Sequence, residues 1–120
     1  MKQFEVTYTE QGERDLREIH EYIAFTLLAP VVAGKLTKRI MKAVAGLRQM
    51  PERFRRYEKE PWKSRGLRVM PIGNFLVFYV SSEQPPRPKG TVSVIRIIYG
   101  ARDIDAELDQ TEELFLGRDY

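Results

Sequence analysis

There is no cysteine among the 120 residues. That rules out a disulfide framework and makes a reducing cytoplasm the natural compartment. Histidine occurs once, at His20. One imidazole without a thiol does not make a zinc centre, and beside Ile19 it reads as a boundary residue of a helix rather than a catalyst. No apolar run approaches the ~18 residues of a membrane span. Met1-Lys2-Gln3 leads into a strand pattern, not into the apolar stretch of a secretory signal. A glycine-rich phosphate loop, a Gly-x-Ser-x-Gly elbow and an internal repeat are all missing. What remains is a single domain by length, large enough for one core of its own.

Charge is present in both signs but unevenly placed. The net value is +3 and the sequence pI about 9.3. Between Lys35 and Arg68, twelve Lys or Arg face only Glu52, Glu58 and Glu60, a local excess of +9. The compensating acid lies late, in Asp103, Asp105, Glu107, Asp109, Glu112, Glu113 and Asp119. Such a local excess suits phosphate or an acidic protein partner.

The first pattern is alternation. Phe4, Val6 and Tyr8 are separated by Glu5 and Thr7, as in a half-buried strand. Thr9 can cap a helix, with Glu10 and Glu13 suited to the positive end of its dipole. Leu16, Ile19, Ile23 and Leu27 then recur at helical spacing, which predicts a helix over 10–28. Pro30 fits the first turn of a second helix. Its apolar stripe is Val32, Leu36, Ile40, Ala43, Val44 and Leu47, its other faces carry Lys35, Lys38, Arg39 and Lys42, and it ends at Met50-Pro51. Helices joined this closely form an antiparallel hairpin. Residues 51–64 are a basic loop with Phe54, Tyr57 and Trp62, aromatics that more often anchor a loop than stack on bases.

From Arg65 to Ile104 come three runs rich in β-branched and aromatic residues, the sheet on which the rest packs. Gly73-Asn74 is a hairpin turn. Phe75 to Val80 contains no polar residue, which predicts a central strand covered on both faces. Ser82 to Gly90 reads as an exposed linker. In Thr91 to Tyr99, strict alternation puts Val92, Val94, Arg96 and Ile98 on one face and Ser93, Ile95, Ile97 and Tyr99 on the other. An arginine among such residues is unusual. Residues 102–108 form a short helix with Ile104 and Leu108 inward, and Leu114, Phe115, Leu116 and Tyr120 follow in a tail that covers the second face or frays. The expected fold is α+β: a helix hairpin on a mostly antiparallel four-stranded sheet, in the order β-α-α-β-β-β with a short C-terminal helix. The domain is expected over residues 1–108, with 109–120 as a tail.

The order of elements and several local strings resemble the RelE/ParE superfamily, the toxins of bacterial type II toxin–antitoxin pairs. The strings are the strand ending near Tyr8, the hairpin closing on Leu47-Arg48-Gln49-Met50-Pro51, Gly66-Leu67-Arg68-Val69, Asn74-Phe75-Leu76-Val77-Phe78-Tyr79, and Val94 through Ile104. The resemblance covers roughly residues 4–108. It implies the fold just described, a cytoplasmic protein, a small antitoxin as partner and no cofactor.

The superfamily divides into ribosome-dependent mRNA interferases and ParE-like toxins that act on DNA gyrase. Metal-free RNA cleavage needs a base, a cation for the phosphorane and an acid. Arg102 stands where the superfamily has an arginine after its closing strand. The arginine that the nucleases carry on the middle strand falls at Leu76, and their late tyrosine falls near Leu108. Leucine can neither move a proton nor hold a charge. The resemblance therefore favours the ParE-like branch and protein contact with gyrase. An endoribonuclease using Arg102, Arg96, Arg68 and Lys63 is the alternative, and a non-toxic antitoxin-binding protein is another. Partner contacts are expected at Arg68, Phe75, Val77, Tyr79, Arg96 and Arg102, with the apolar second sheet face and the basic middle third suited to an amphipathic, acidic wrap. No metal is expected.

Overall fold

The structure is a computed structural model that describes residues 3–83 and 89–116. Its strands are β1 (Phe4–Tyr8), β2 (Arg68–Ile72), β3 (Phe75–Ser82) and β4 (Gly90–Tyr99), and its helices α1 (Glu10–Glu21), α2 (Pro30–Ala45) and α3 (Ile104–Leu116). The sheet order is β1-β4-β3-β2, parallel between β1 and β4 and antiparallel elsewhere. Helices and strands follow the expected sequence. The middle of linker 82–90 and the tail beyond Leu116 lie outside the described residues, as do the side chains of 112–116.

Thr9 caps α1 as expected, accepting from the Gly12 amide at 3.0 Å. Its hydroxyl also donates to the Val94 carbonyl at 2.8 Å, so the cap pins α1 to β4. Gly12 permits that approach, because a Cβ there would lie 2.6 Å from the same carbonyl. Pro30 opens α2 at its first turn. The expected continuous helix over 10–28 is not what forms. The α-helix stops at Glu21, a π-helical turn follows over Tyr22–Thr26, and Leu28 takes a left-handed conformation at φ 55°. The wider turn breaks the 3.6-residue phase. Leu27, next in the apolar stripe, is thereby left exposed.

Both faces of the sheet are covered. On one face Ile40, Val44 and Leu47 of the hairpin side meet Met70, Ile72, Val77, Tyr79, Val92, Val94 and Ile97. On the other, Trp62, Leu67 and Leu108 meet Val69, Phe78, Ile95 and Ile98. The aromatic loop is thus an anchor. Tyr57 stacks edge-on against Phe78 at 5.7 Å, and the loop backbone closes the outer edge of β2 through Tyr57 N to Leu67 O and Val69 N to Arg55 O.

Two expectations are corrected here. Strict alternation fails on β4, because Tyr79 pairs with Val94 and Phe78 with Arg96, leaving Ile95 as an extra residue. This bulge rephases the strand, so Val92, Val94 and Ile97 share the hairpin side while Ile95 and Ile98 face away. The short helix expected over 102–108 is also longer than read: α3 starts at Ile104 and continues to Leu116, with Thr111 buried against the body. The second face is therefore occupied by the chain itself.

Candidate functional site

β1 is shorter than β4. It ends at Tyr8, opposite Val94, and beyond that point α1 takes its place along the β4 edge. Asp15 does for this edge what a neighbouring strand would have done: its Oδ2 accepts from the Ile97 amide at 2.9 Å. The same oxygen accepts from Arg96 Nε at 2.6 Å, and Oδ1 accepts from Arg96 Nη2 at 3.2 Å. Arg96 continues to α3, donating from Nη1 to the Glu107 carbonyl at 3.0 Å and the Thr111 hydroxyl at 2.7 Å, and from Nη2 to Glu107 Oε1 at 3.3 Å. The side chains of Arg96 and Asp15 are 8% and 6% exposed. A guanidinium has five N–H groups, and this site directs bonds from each of its three nitrogens. Satisfied in this way, a buried ion pair is tolerated, whereas removing one member strands the other charge.

Above this network lies a groove of ≈ 820 Å³ between the helix hairpin and the open ends of β3 and β4. Ile19, Tyr22, Leu27, Leu36, Phe75 and Tyr99 line it with apolar surface, and Asp15, Glu18, Arg96, Arg102 and Glu107 supply charge. Phe75 and Tyr99 are cross-strand neighbours with rings 5.5 Å apart. Arg102 is 65% exposed at the rim, with Glu107 Oε1 3.8 Å away. A groove that is mostly apolar with a few convergent charges suits a protein segment or a small molecule.

The sequence-derived candidates separate in space. Phe75, Arg96 and Arg102 meet at the groove. Arg68 sits at the far end of β2, paired with Tyr79 rather than with the Phe75–Tyr99 end of the sheet. Its guanidinium is turned inward, bonding the Glu52 and Phe54 carbonyls at 3.1 and 2.8 Å. Lys63 is exposed, 3.8 Å from Glu58. Val77 and Tyr79 are fully buried in the hairpin-side core and present nothing to a partner. The Tyr79 hydroxyl donates to the Pro51 carbonyl, and burial pushes this phenol up to about 12. Arg96 is likewise an interior residue, used to join three elements. Leu76 and Leu108, the positions compared with nuclease residues, both pack in the second core.

Part of the basic middle third is spent within the fold. Lys59 and Tyr57 both bond Asp105 and tie the aromatic loop to α3. Lys59 first, then Tyr57, hold the Asp105 carboxyl below its usual range. Burial and then the bond to Asp105 push the Tyr57 phenol up to about 12. Arg53 bonds the carbonyls of Gln49 and Met50. Lys35, Lys38 and Lys42 on α2 remain exposed.

Sequence reading missed Asp15, Glu18, Tyr22 and Leu27. Asp15 carried a usable signal: it stands four residues before Ile19, on the inward phase of α1, and an inward carboxylate asks for a cation such as the odd Arg96. Among the described residues, no three His, Asp or Glu side chains are grouped as a metal site requires, and no helix is long and apolar enough to cross a membrane.

Comparison with known proteins points in one direction. The family model for the ParE toxin of the type II toxin–antitoxin system parDE matches residues 6–104. The fold is similar to a solved chain of the chromosomal ParDE toxin–antitoxin system from P. aeruginosa, at 19% identity and a TM-score of 0.63, over 81% of this chain and 96% of that one. At that identity the likeness is one of fold. No curated protein matches the sequence.

Proposed function

This chain belongs to the ParE toxin family of type II toxin–antitoxin systems, and on that premise we propose that it is a cytoplasmic toxin that inhibits DNA gyrase by protein contact and is neutralised by a cognate antitoxin. The antitoxin lays an amphipathic segment into the groove, its apolar side chains on Ile19, Tyr22, Leu27 and Phe75, and an acidic side chain on Arg102. The contact is non-catalytic. What supports this is the fate of the residues a metal-free ribonuclease would need. Arg96 is consumed by Asp15 and α3, Arg68 is bonded to backbone carbonyls, and Leu76 and Leu108 fill the second core. Arg102 is left at the groove, where the carboxylate beside it, Glu107, is already paired with Arg96.

The test is induction of this chain alone, with growth, plasmid supercoiling and bulk translation followed together. Early loss of supercoiling while translation continues is the expected result. Immediate translation arrest with cut messages would overturn it in favour of an mRNA interferase. No growth defect would withdraw toxicity and leave an antitoxin-binding protein. Arg102→Ala, at an exposed position, is expected to weaken antitoxin capture without unfolding the chain.

A further inference from the structure

The tip of the helix hairpin displays far more apolar surface than the groove needs. Tyr22, Phe25, Leu27, Leu28, Val31 and Val32 are all more than half exposed, Phe25 at 71% and Leu28 at 81%. On ordinary side-chain areas this is roughly 600 Å², at the top of the ~300–600 Å² usual for the largest patch on a monomer. It approaches the ~800 Å² each partner contributes to a standard interface. Leu28 also holds a left-handed backbone there, at φ 55°, a strain that side chains of its shape rarely carry.

The residues around the tip are arranged as a mirror about Leu28. Counting outward in both directions, Phe25 and Val31 stand three positions away, Tyr22 and Gly34 six, Glu21 and Lys35 seven, and Glu18 and Lys38 ten. A two-fold axis parallel to the hairpin lays α1 of one copy along α2 of the other, so residues equally far from the tip meet. Aromatic then meets aliphatic, tyrosine meets glycine, and both acids meet lysines, whereas Arg17 and Arg39, eleven positions away, are of like sign and lie outside the matched set. Gly34 is the position the monomer does not explain. It lies inside α2, where glycine is a poorer helix former than alanine, and a Cβ added there would touch nothing within 4 Å. The four charged residues are exposed. Glu21 has one weak neighbour, Arg17 at 3.7 Å, on the open surface.

We propose that the hairpin tip is a self-association surface, on which a second copy of this chain docks by two-fold symmetry with Tyr22 over the partner copy's Gly34 and Glu18 and Glu21 against its Lys35 and Lys38. An isologous interface must be self-complementary, and the mirror about Leu28 supplies that property. The inference does not depend on the toxin's target, but Tyr22 and Leu27 also line the groove given to the antitoxin, so a second copy and the antitoxin compete for them.

Sedimentation of the full chain over a range of concentrations tests it. The unaltered chain is expected to pass from monomer to dimer. Phe25→Asp is expected to be monomeric throughout. Gly34→Ala is expected to raise the thermal midpoint, because the helix improves, and yet to weaken association by about tenfold or more, equivalent to about 1.4 kcal/mol. A charge-reversed pair gives the sharpest reading. Glu18→Lys with Glu21→Lys, and separately Lys35→Glu with Lys38→Glu, should each lose self-association, and the two chains should pair when mixed. A monomeric unaltered chain at every soluble concentration overturns the proposal and leaves the tip to a different protein. Charge variants that associate as well as the parent, or that fail to pair on mixing, overturn the arrangement.

Discussion

On the hairpin side of the sheet the filling is a stripe: Ile40, Val44 and Leu47 come from one helix and its last turn, at spacings of four and three. On the opposite side it is assembled from pieces. Trp62 and Leu67 come from an irregular loop, Leu108 from α3, and the charged cluster of Arg96, Asp15, Glu107 and Thr111 joins β4, α1 and α3 at one end. The first side can be built by any sequence that keeps its period. The second needs particular partners to arrive together, since a guanidinium brought inside without its carboxylate is worse than no guanidinium at all.

Arg96→Ala is the largest expected break in this comparison. It leaves Asp15 buried and unpaired, and should cost about 3–5 kcal/mol of stability in urea unfolding. Pairing Arg96→Met with Asp15→Leu should recover much of that loss, because apolar replacement of a whole buried pair is often neutral. Failure to recover would mean that the bond from Asp15 to the Ile97 amide matters more than the charge. Ile40→Ala on the striped side should cost about 2–5 kcal/mol through the cavity it opens. If it proves much worse than Arg96→Ala, the charged cluster is not what holds the second side.

Smaller changes sharpen the contrast. Thr111→Val removes an acceptor from Arg96 and should cost about 1.5 kcal/mol, with hydrogen exchange rising in α3 and not in α2. The tie of Asp105 to Lys59 and Tyr57 gives the smallest effect, and it depends on pH. Asp105 has its folded carboxyl pKa depressed, so its contribution is present above the unfolded carboxylate value and is lost as pH falls through the folded one. Tyr57 is raised to about 12, so its share persists below the ordinary tyrosine value near 10 and fades as pH climbs toward the folded one. Asp105→Asn should flatten the acid limb of a stability–pH curve. An unchanged acid limb would show that this exposed tie holds nothing.

Much of the fold was legible because its signals are local. Thr9, Pro30 and the apolar spacing of α2 each act within a few residues; the structure uses the cap and the proline as read and buries the stripe at Ile40, Val44 and Leu47, while Val32 at its start stays exposed. Phe75 to Val80 announced a strand covered on both sides, and it is. The errors fell where one extra residue changes the phase. The bulge at Ile95 and the π-turn at Tyr22–Thr26 are each a single-turn event, yet each reassigns the side chains that follow. Partner contacts were hardest to read. Val77 and Tyr79 look from the sequence like any strand residues, and only the packing of α2 over them shows that they are interior.

The sequence by itself determined the class of this protein: the element order, the hairpin and the likeness to a toxin family, because period, caps and turn residues are properties of short stretches. Only the tertiary structure decided which charges are surface and which are scaffold. Asp15 and Arg96 stand 81 residues apart and become one unit through a strand that ends early. Their desolvation depends on what surrounds them in space, and no short stretch of the chain contains that.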